Sequence, residues 1–250
     1  MRKFFCSLLL FLLSATAIAE TVHVAAAANL RYVLPEIIAE FHRQSDHRIA
    51  VTYAASGTIS NQIKHGAPYQ VFLSASADFI TPLIKSGLTR QSPFSYADAQ
   101  LALFAGRHSD IELDIGLKGL KHYLQFAADK KIAIANPQHA PYGMAAKQYL
   151  IQHDVWSLAK PYLVQAENAG QLTQFTLTGN VAAGFIPYSH AIQPSIKKQG
   201  RFLKLPLILP QQGVLTRRAT VAAEQFVDFL ASDVARQLFV EYGFIVAEQN

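Results

Sequence analysis

Short apolar strands alternate with amphipathic helices along most of this chain, and that alternation constrains its fold more than any other feature. It is typical of α/β proteins, in which helices cover the faces of a sheet. The strand candidates are Val22–Ala25, Ile49–Tyr53, Val71–Ser74, Leu101–Phe104, Lys131–Ala135, Tyr162–Val164, Ala183–Ile186 and the longer stretch Phe202–Leu209. The helix candidates are Asn29–Gln44, Thr58–His65, Asp78–Ser86, Gly143–His153, Gly170–Thr178, Val221–Leu230 and Asp233–Tyr242.

Proline and glycine set the expected limits of the early helices. Pro35 lies inside the first helix candidate, where it removes one backbone donor and should kink the helix or delay its regular start. Gly66 and Gly87 follow the second and third helix candidates and should end them. The two C-terminal helices are expected to pack back on the first part of the chain.

Four loops share one design, because each lies where an apolar strand runs into the start of a helix. Each is rich in small or hydroxyl residues and almost free of charge. A helix N-terminus exposes unpaired N–H groups and the positive end of the peptide dipoles, so it attracts anions without Lys or Arg. Several such termini meeting at one point predict a site for a desolvated oxyanion. The loops are Ala25–Leu30, Tyr53–Thr58, Asn136–Gly143 and Ala166–Ala169.

The N-terminus has the pattern of an export signal. Arg2 and Lys3 precede an apolar run, Phe4–Leu13, that is too short to span a bilayer. Residues 17–19, Ala-Ile-Ala, fit a cleavage site, so residues 1–19 are expected to be removed. The alternative is an uncleaved membrane anchor. Cys6 lies within the signal, upstream of most of the apolar run, and does not fit a lipid-attachment site.

The mature chain would contain 231 of the 250 residues and no cysteine, since Cys6 is the single one. It must therefore fold without a disulfide, and this length allows two lobes of about 100 residues each. Without Arg2 and Lys3, the 22 basic residues become 20 against 17 acidic ones, a net charge of +3. This charge is scattered, with no basic run of the kind that binds nucleic acid.

At this point the chain resembles a known family, the periplasmic molybdate-binding proteins of ABC importers. The resemblance covers essentially the whole mature chain and is carried by motifs that keep their order and spacing. They are VAAAANL at 24–30, YAASGTISNQI at 53–63, GAP and VFLSA within 66–75, NPQHAPYG at 136–143, AKQYL and VW within 146–156, PYLVQAEN at 161–168 and VEYGF at 240–244.

The resemblance implies an α/β protein with two lobes, of the type II-like periplasmic-binding-protein fold, with the ligand in the cleft between them. Residues 20–98 together with 205–250 would form lobe 1, and residues 99–204 would form lobe 2. Two crossovers, near 97–101 and 195–210, would join the lobes. We expect a monomer that needs no cofactor and has no catalytic residue.

The resemblance also implies the ligand-binding positions. They are Ala28 and Asn29 after the first strand, Ser56, Tyr142 before the glycine of the PYG turn, and Ala169, which would offer its backbone N–H. Gly57 and Tyr188 are further candidates. Pro187 lies where some members of the family have a tyrosine that binds the anion. The resemblance therefore does not decide whether this chain has a fifth ligand-binding residue. Gln70 replaces a usual Asp and is expected to support the lobe.

Plainer interpretations exist for these residues. Ser56 and Asn29 could simply cap helices, Tyr142 could be an exposed turn residue, and Tyr188 could form a wall of the cleft. The nine histidines show no metal-ligand spacing, so no side chain is expected to coordinate a metal directly. His139 lies in the third loop, beside the expected cleft, and its default role is packing or surface exposure.

The sequence therefore predicts an exported protein that captures molybdate, and also tungstate, in the periplasm and delivers it to a membrane permease. The alternatives are the same class binding sulfate, phosphate or an organic anion, a periplasmic serine hydrolase using Ser56, and an interaction module. A phosphate site would need an acceptor for a protonated oxygen, and only Glu167 lies in these loops. The hydrolase lacks a G-x-S-x-G motif and an ordered triad.

Overall fold

The computed structural model describes residues 19–90, 92–128 and 131–247. Apart from Ala19, the expected signal peptide lies outside the described residues. Within the described ranges, every helix is too short or too polar to cross a membrane.

Eight strands form one mixed sheet in the order β2-β1-β3-β8-β4-β7-β5-β6. The pairs of β1 with β2 and β3, and of β5 with β6 and β7, are parallel, as expected for strands joined through helices. The predicted α/β class is thus confirmed. The strands are β1 Thr21–Ala27, β2 Arg48–Ala54, β3 Val71–Ser74, β4 Phe94–Gly106, β5 Ile132–Ala135, β6 Leu163–Ala166, β7 Ala183–Pro187 and β8 Gly200–Leu215.

Eleven α-helices cover the sheet in the described part of the chain. They are α1 Leu34–Phe41, α2 Ser56–Lys64, α3 Thr81–Lys85, α4 Lys118–Phe126, α5 Pro141–Gln152, α6 Trp156–Ala159, α7 Ala169–Leu177, α8 Tyr188–Ala191, α9 Pro194–Lys197, α10 Val221–Leu230 and α11 Asp233–Glu241. Three 3₁₀ turns, Ala28–Leu30, Ala77–Phe79 and Lys160–Tyr162, complete the helical structure of these ranges.

The first predicted helix is wrong in its extent. A 3₁₀ turn occupies Ala28–Leu30, and regular helix begins only at Leu34, with Pro35 in its first turn. The delayed start expected from Pro35 is confirmed, since a proline is tolerated only where the N–H has no helical partner.

Helix α4 was missed by the sequence interpretation because its start signal is remote from its first residue. Leu117, just before it, has a left-handed backbone (φ 55°). The carboxylate of Asp114 accepts hydrogen bonds from the N–H groups of Lys118 (3.0 Å) and Gly119 (2.8 Å). The capping acid thus stands four residues upstream, where a sequence pattern does not reveal it.

Two long strands connect the two halves of the sheet. β4 and β8 pair over most of their length, and the sequence pattern predicts only the segments Leu101–Phe104 and Phe202–Leu209. Their register shifts between Ser95 and Ala97, and again between Gln100 and Ala102. Bulges of this kind bend and twist a strand. They lie in or beside the segments predicted as crossovers, while the lobe boundaries themselves stay a prediction.

The C-terminal helices pack against α1, as predicted. The Phe41 ring meets Phe226 at 5.3 Å and Phe229 at 5.5 Å between ring centroids. Backbone hydrogen bonds in both directions between Asp98 and Ile245 then tie the end of the chain to β4. The fold therefore closes one half of the sheet with residues from both ends of the chain.

Candidate functional site

The four loops converge on one cavity at the carboxyl ends of the parallel strands. Ligands in open α/β sheets bind at such ends, where loops from neighbouring strands meet. Ala27 ends β1, and Ala28 and Asn29 follow it. Ala54 ends β2, and Ala55 and Ser56 follow it. Ala140 to Tyr142 follow β5, and Ala169 follows β6. Both halves of the sheet therefore contribute to the cavity wall.

The lining of this cavity is uncharged. Seven alanines and Pro141 form its apolar part, and Asn29, Ser56 and Tyr142 provide its three polar side chains. The cavity is small, with a volume of about 10 Å³ for the centre of a water-sized sphere. This volume corresponds to about one water molecule, so the cavity leaves no room for a large organic ligand.

Two larger clefts lie at the far end of the β4 to β7 half of the sheet, with volumes of about 580 and 650 Å³. They are open to solvent and lined in part by charged residues such as Arg107, Asp110 and Lys118. None of the predicted site residues lines either cleft. We therefore assign the functional site to the small cavity, where buried polar groups converge.

Asn29 is 1 % exposed and lies within the 3₁₀ turn that follows β1. Its Nδ2 donates to Oε1 of Gln211 at 2.9 Å, whereas its Oδ1 has no hydrogen-bond partner. The side chain does not cap the turn, so the plain capping interpretation of Asn29 is wrong. A buried amide oxygen without a partner costs free energy, which points to a role in binding.

Ser56 is fully buried at the first position of α2. Its Oγ accepts a hydrogen bond from the Ala75 N–H at 3.0 Å. Ala55 occupies the N-cap position without a side-chain cap, so Ser56 is not a simple helix cap either. Because the Oγ acts as an acceptor toward Ala75, its own proton remains available for an anion in the cavity.

Tyr142 lies in the first turn of α5 and is 2 % exposed, so it is not an exposed turn residue. Its hydroxyl makes no hydrogen bond of normal geometry. Burial raises the pKa of Tyr142, and the nearby side chains of Asn29 and Gln211 partly offset that rise. The phenol therefore keeps its proton at neutral pH and can donate it to an anion.

The N-terminus of α7 presents the Ala169 amide. Asn168 caps this helix, and its Oδ1 accepts from the N–H groups of Gly170 (2.9 Å) and Gln171 (3.0 Å). Ala169 itself lines the cavity, as does Ala28. Asn168 Oδ1 accepts no hydrogen bond from the Ala169 N–H, which lies at the positive end of the helix dipole.

The two further candidates have other contacts. The Gly57 N–H donates to the His139 carbonyl at 2.8 Å, which joins the loop after β2 to the loop after β5. Tyr188 packs on Phe202 at 6.1 Å and lies beneath the Lys204 ammonium at 5.3 Å. Neither lines the cavity. Gly57 thus joins the two halves of the protein, and Tyr188 is part of the packing near β8.

Charged groups surround the cavity without lining it. The Arg31 guanidinium lies 5.6 Å from the centre of the Tyr53 ring, and the side chain is exposed. Glu167 is 73 % exposed and faces the His139 ring at 3.5 Å. Gln70 accepts a hydrogen bond from the His23 N–H at 2.8 Å and supports the first sheet half, as predicted.

Sequence reasoning missed a layer of residues behind the cavity. The Tyr96 hydroxyl hydrogen-bonds to Gln211 Oε1, and the same oxygen accepts from the Asn29 side chain. Ser189 donates to the Asn29 carbonyl at 3.4 Å, and His190 is buried beside Tyr32. These residues come from distant positions in the chain and carry no local motif, so only the fold reveals their convergence.

The family model described as bacterial extracellular solute-binding protein matches residues 22–245. The chain belongs to this family. Among its relatives in that family, the molybdate-binding protein ModA of Rhodobacter capsulatus is 32% identical over 240 residues, which are 93% of this chain and 91% of that protein. The molybdate-binding protein ModA of Azotobacter vinelandii is 31% identical over 240 residues, 93% of each chain.

A solved structure shows the same fold. The periplasmic molybdate-binding protein of Azotobacter vinelandii superposes with a TM-score of 0.81 at 28% sequence identity, covering 91% of this chain and 100% of that one. The expected solute-binding fold, in two lobes, is thereby confirmed, and the cavity lies at the carboxyl edge of its parallel strands.

Proposed function

We propose that this solute-binding protein captures molybdate outside the cytoplasmic membrane and delivers it to the permease of an ABC importer. The observation that carries the proposal is the small cavity, in which Asn29, Ser56 and Tyr142 supply buried polar groups and none of the eleven lining residues is charged. The relatives bearing the name molybdate-binding protein support this choice of ligand.

Recognition would replace the water shell of the anion by fixed neutral donors. The Ser56 and Tyr142 hydroxyls, the Asn29 amide and N–H groups at helix starts can surround a tetrahedral dianion. The two halves would close on it about the β4 and β8 strands. Because fixed donors select by size, sulfate is too small to reach all of them, and tungstate should bind together with molybdate.

A serine hydrolase is not supported by the site. Ser56 Oγ accepts from a backbone N–H, and the cavity lining contains neither a histidine nor a carboxylate to activate it. The cavity lining contains no carboxylate to accept the proton of hydrogen phosphate, and Glu167, the acidic residue of these loops, is exposed and faces His139. Export of the protein, with cleavage after Ala19, is part of this proposal and is checked by sequencing the N-terminus of the secreted chain.

Molybdate and tungstate at micromolar concentration should each raise the melting temperature of the purified protein. A ligand that binds only the native state stabilises it in proportion to the logarithm of its concentration. Sulfate and phosphate at millimolar concentration should leave the melting temperature unchanged. If sulfate competes with molybdate at a comparable concentration, the molybdate assignment is wrong and a different oxyanion is the ligand.

Replacing Ser56 by alanine should weaken molybdate binding about 10- to 150-fold. The variant loses one hydrogen bond to a charged group, worth about 1.5–3 kcal/mol. It also leaves the Ala75 N–H without its acceptor, which should lower the free energy of unfolding by about 1 kcal/mol. Calorimetric titration of the folded variant separates the two effects, and an unchanged dissociation constant would show that Ser56 does not contact the anion.

Replacing Arg31 by glutamine should change molybdate affinity by less than about tenfold. The guanidinium is exposed, lies over Tyr53 and is absent from the cavity lining, so it acts through screened attraction. Affinity should also depend only weakly on ionic strength. Titrations in low and high salt check both statements, and a large loss in the variant would indicate a direct ion pair.

A further inference from the structure

A buried chain of hydrogen bonds lies directly behind Asn29. The Asn29 Nδ2 donates to Gln211 Oε1 at 2.9 Å. The same oxygen lies 3.0 Å from the Tyr96 hydroxyl, which also lies 3.0 Å from the Ser74 carbonyl. Asn29 and Gln211 are at most 1 % exposed, and Tyr96 is 5 % exposed. The chain therefore exchanges no hydrogen bonds with bulk water.

The backbone has an irregularity that places Tyr96 in this chain. The register of β4 against β8 shifts between Ser95 and Ala97, so Tyr96 is the extra residue opposite Gln211 and Gln212. Such a bulge re-aims a side chain. Here it brings the Tyr96 hydroxyl between the Gln211 amide and the end of β3.

The Tyr96 hydroxyl has a single proton and two neighbouring acceptors, so it cannot serve both fully. If the proton goes to Gln211 Oε1, that oxygen also accepts from Asn29 Nδ2, and Asn29 Oδ1 is left without a partner, as the structure has it, in a side chain that lines the cavity. If the proton goes to the Ser74 carbonyl, the tyrosine oxygen becomes an acceptor. Gln211 must then present its Nε2 to the tyrosine oxygen.

Reversal of the two amides keeps the close heavy-atom contacts. Gln211 Nε2 then donates one proton to Tyr96 and the other to Asn29 Oδ1, and Asn29 Nδ2 points into the cavity. The reversal gives up only the long bond from Gln211 Nε2 to the Leu209 carbonyl, at 3.5 Å. The two amide orientations differ in one functional respect, since one presents an acceptor to the ligand and the other a donor.

A fully deprotonated oxyanion has only acceptors, so it is repelled by Asn29 Oδ1 and held by Asn29 Nδ2. Hydrogen phosphate carries one O–H and can use the opposite orientation. We propose that Tyr96 and Gln211 are positioning residues that turn the Asn29 amide nitrogen toward the cavity, so that the site selects oxyanions without a proton. This inference rests on the proposed function, whose ligand molybdate is such an anion.

The test compares molybdate with hydrogen phosphate, which has the same charge of −2 near pH 8 but keeps one proton. Calorimetric titrations would use the wild type, Gln211→Met, Tyr96→Phe and Gln211→Glu. Gln212→Glu is the matched control, because it adds the same charge on the next residue of β8, whose side chain points to the other face of the sheet.

The titrations should distinguish the variants by their molybdate affinity and by their preference for molybdate over hydrogen phosphate. Gln211→Met and Tyr96→Phe should bind molybdate about tenfold more weakly, the value of one lost hydrogen bond. Their preference for molybdate over hydrogen phosphate should shrink, which a merely structural role would not produce. The carboxylate of Gln211→Glu offers only acceptors and so fixes Asn29 Oδ1 toward the cavity. This variant should bind molybdate more than about 100-fold more weakly. The control Gln212→Glu should lose less than about tenfold in molybdate affinity.

A spectroscopic arm keeps the inference testable if a variant fails to fold. The side-chain amide signal of Asn29 in ¹⁵N-labelled wild type is assigned by its absence in Asn29→Asp, and molybdate should shift it more than other side-chain amides. An unmoved Asn29 signal, or variants with wild-type affinity and selectivity, would overturn the positioning role of Tyr96 and Gln211. Either result would leave the proposed molybdate-binding function standing. If the wild type does not bind molybdate at all, the proposed function fails and this inference fails with it.

Discussion

Replacing Gly57 by alanine should weaken molybdate binding about 30- to 1000-fold. A Cβ at this position would lie 2.8 Å from Cα, Cβ and the carbonyl oxygen of His139. His139 belongs to the loop after β5, on the other half of the sheet, so the clash arises only when the two halves approach. The variant would lose the Gly57 N–H bond to His139 and add overpacking, together about 2–4 kcal/mol.

The lost affinity should come without a comparable loss of fold stability. In the absence of ligand the halves can separate slightly and relieve the clash, so urea unfolding of Gly57→Ala should resemble that of the wild type. Gly106→Ala is the control, because a Cβ there would meet only the Thr176 oxygen at 3.8 Å, an ordinary contact. Wild-type affinity in Gly57→Ala would mean that binding does not require this approach of the two halves.

The sequence predicted the strand ends and the loops that surround the cavity because their signals are local. Apolar runs, small residues and the start of a helical period lie within ten residues of each other in each loop. Ala28, Asn29, Ser56, Tyr142 and Ala169 were chosen in this way, together with the family resemblance, and all five line the cavity. Their contact with an anion stays a prediction.

The parts that sequence reasoning missed are those that depend on the fold. Gln211 stands in a long strand and has no motif, yet β8 brings it within 2.9 Å of Asn29, 182 positions away. Gly57 was selected as a ligand candidate, but its N–H is used to join the two halves. Whether an amide at a helix start binds a ligand or a neighbouring loop is decided by tertiary packing, which a local pattern does not record.

His190 is a further example of a residue whose role depends on packing. It is fully buried in α8, with Nδ1 2.8 Å from Thr173 Oγ1. The Thr173 hydroxyl also lies 3.0 Å from the Ala169 carbonyl, to which it donates. The ring also meets Tyr32, from the opposite half of the sheet, edge to face at 4.8 Å.

This setting makes a positive charge on His190 unfavourable. Burial lowers the pKa of His190 to about 3. Hydrogen bonding to the Asn29 and Ala28 carbonyls raises this pKa, whereas the positive charge of Arg31 lowers it further. Between pH 3 and 6.5 the unfolded chain therefore binds a proton that the folded protein does not. The free energy of unfolding must then rise with pH across that range and fall on acidification.

The expected loss of stability is about 2 kcal/mol between pH 7 and pH 5 and about 4–5 kcal/mol by pH 3, at about 1.4 kcal/mol per pH unit below 6.5. Urea unfolding of the wild type and His190→Gln over this range measures it, because glutamine does not titrate. The wild-type curve should be the steeper of the two. Parallel curves for wild type and His190→Gln would mean that the folded protein accommodates the protonated ring.

His190 contacts Tyr32 across the two halves of the sheet. Separation of the halves would expose the protonated ring to water and so lower the cost of its charge. Molybdate affinity should therefore fall in the same pH range.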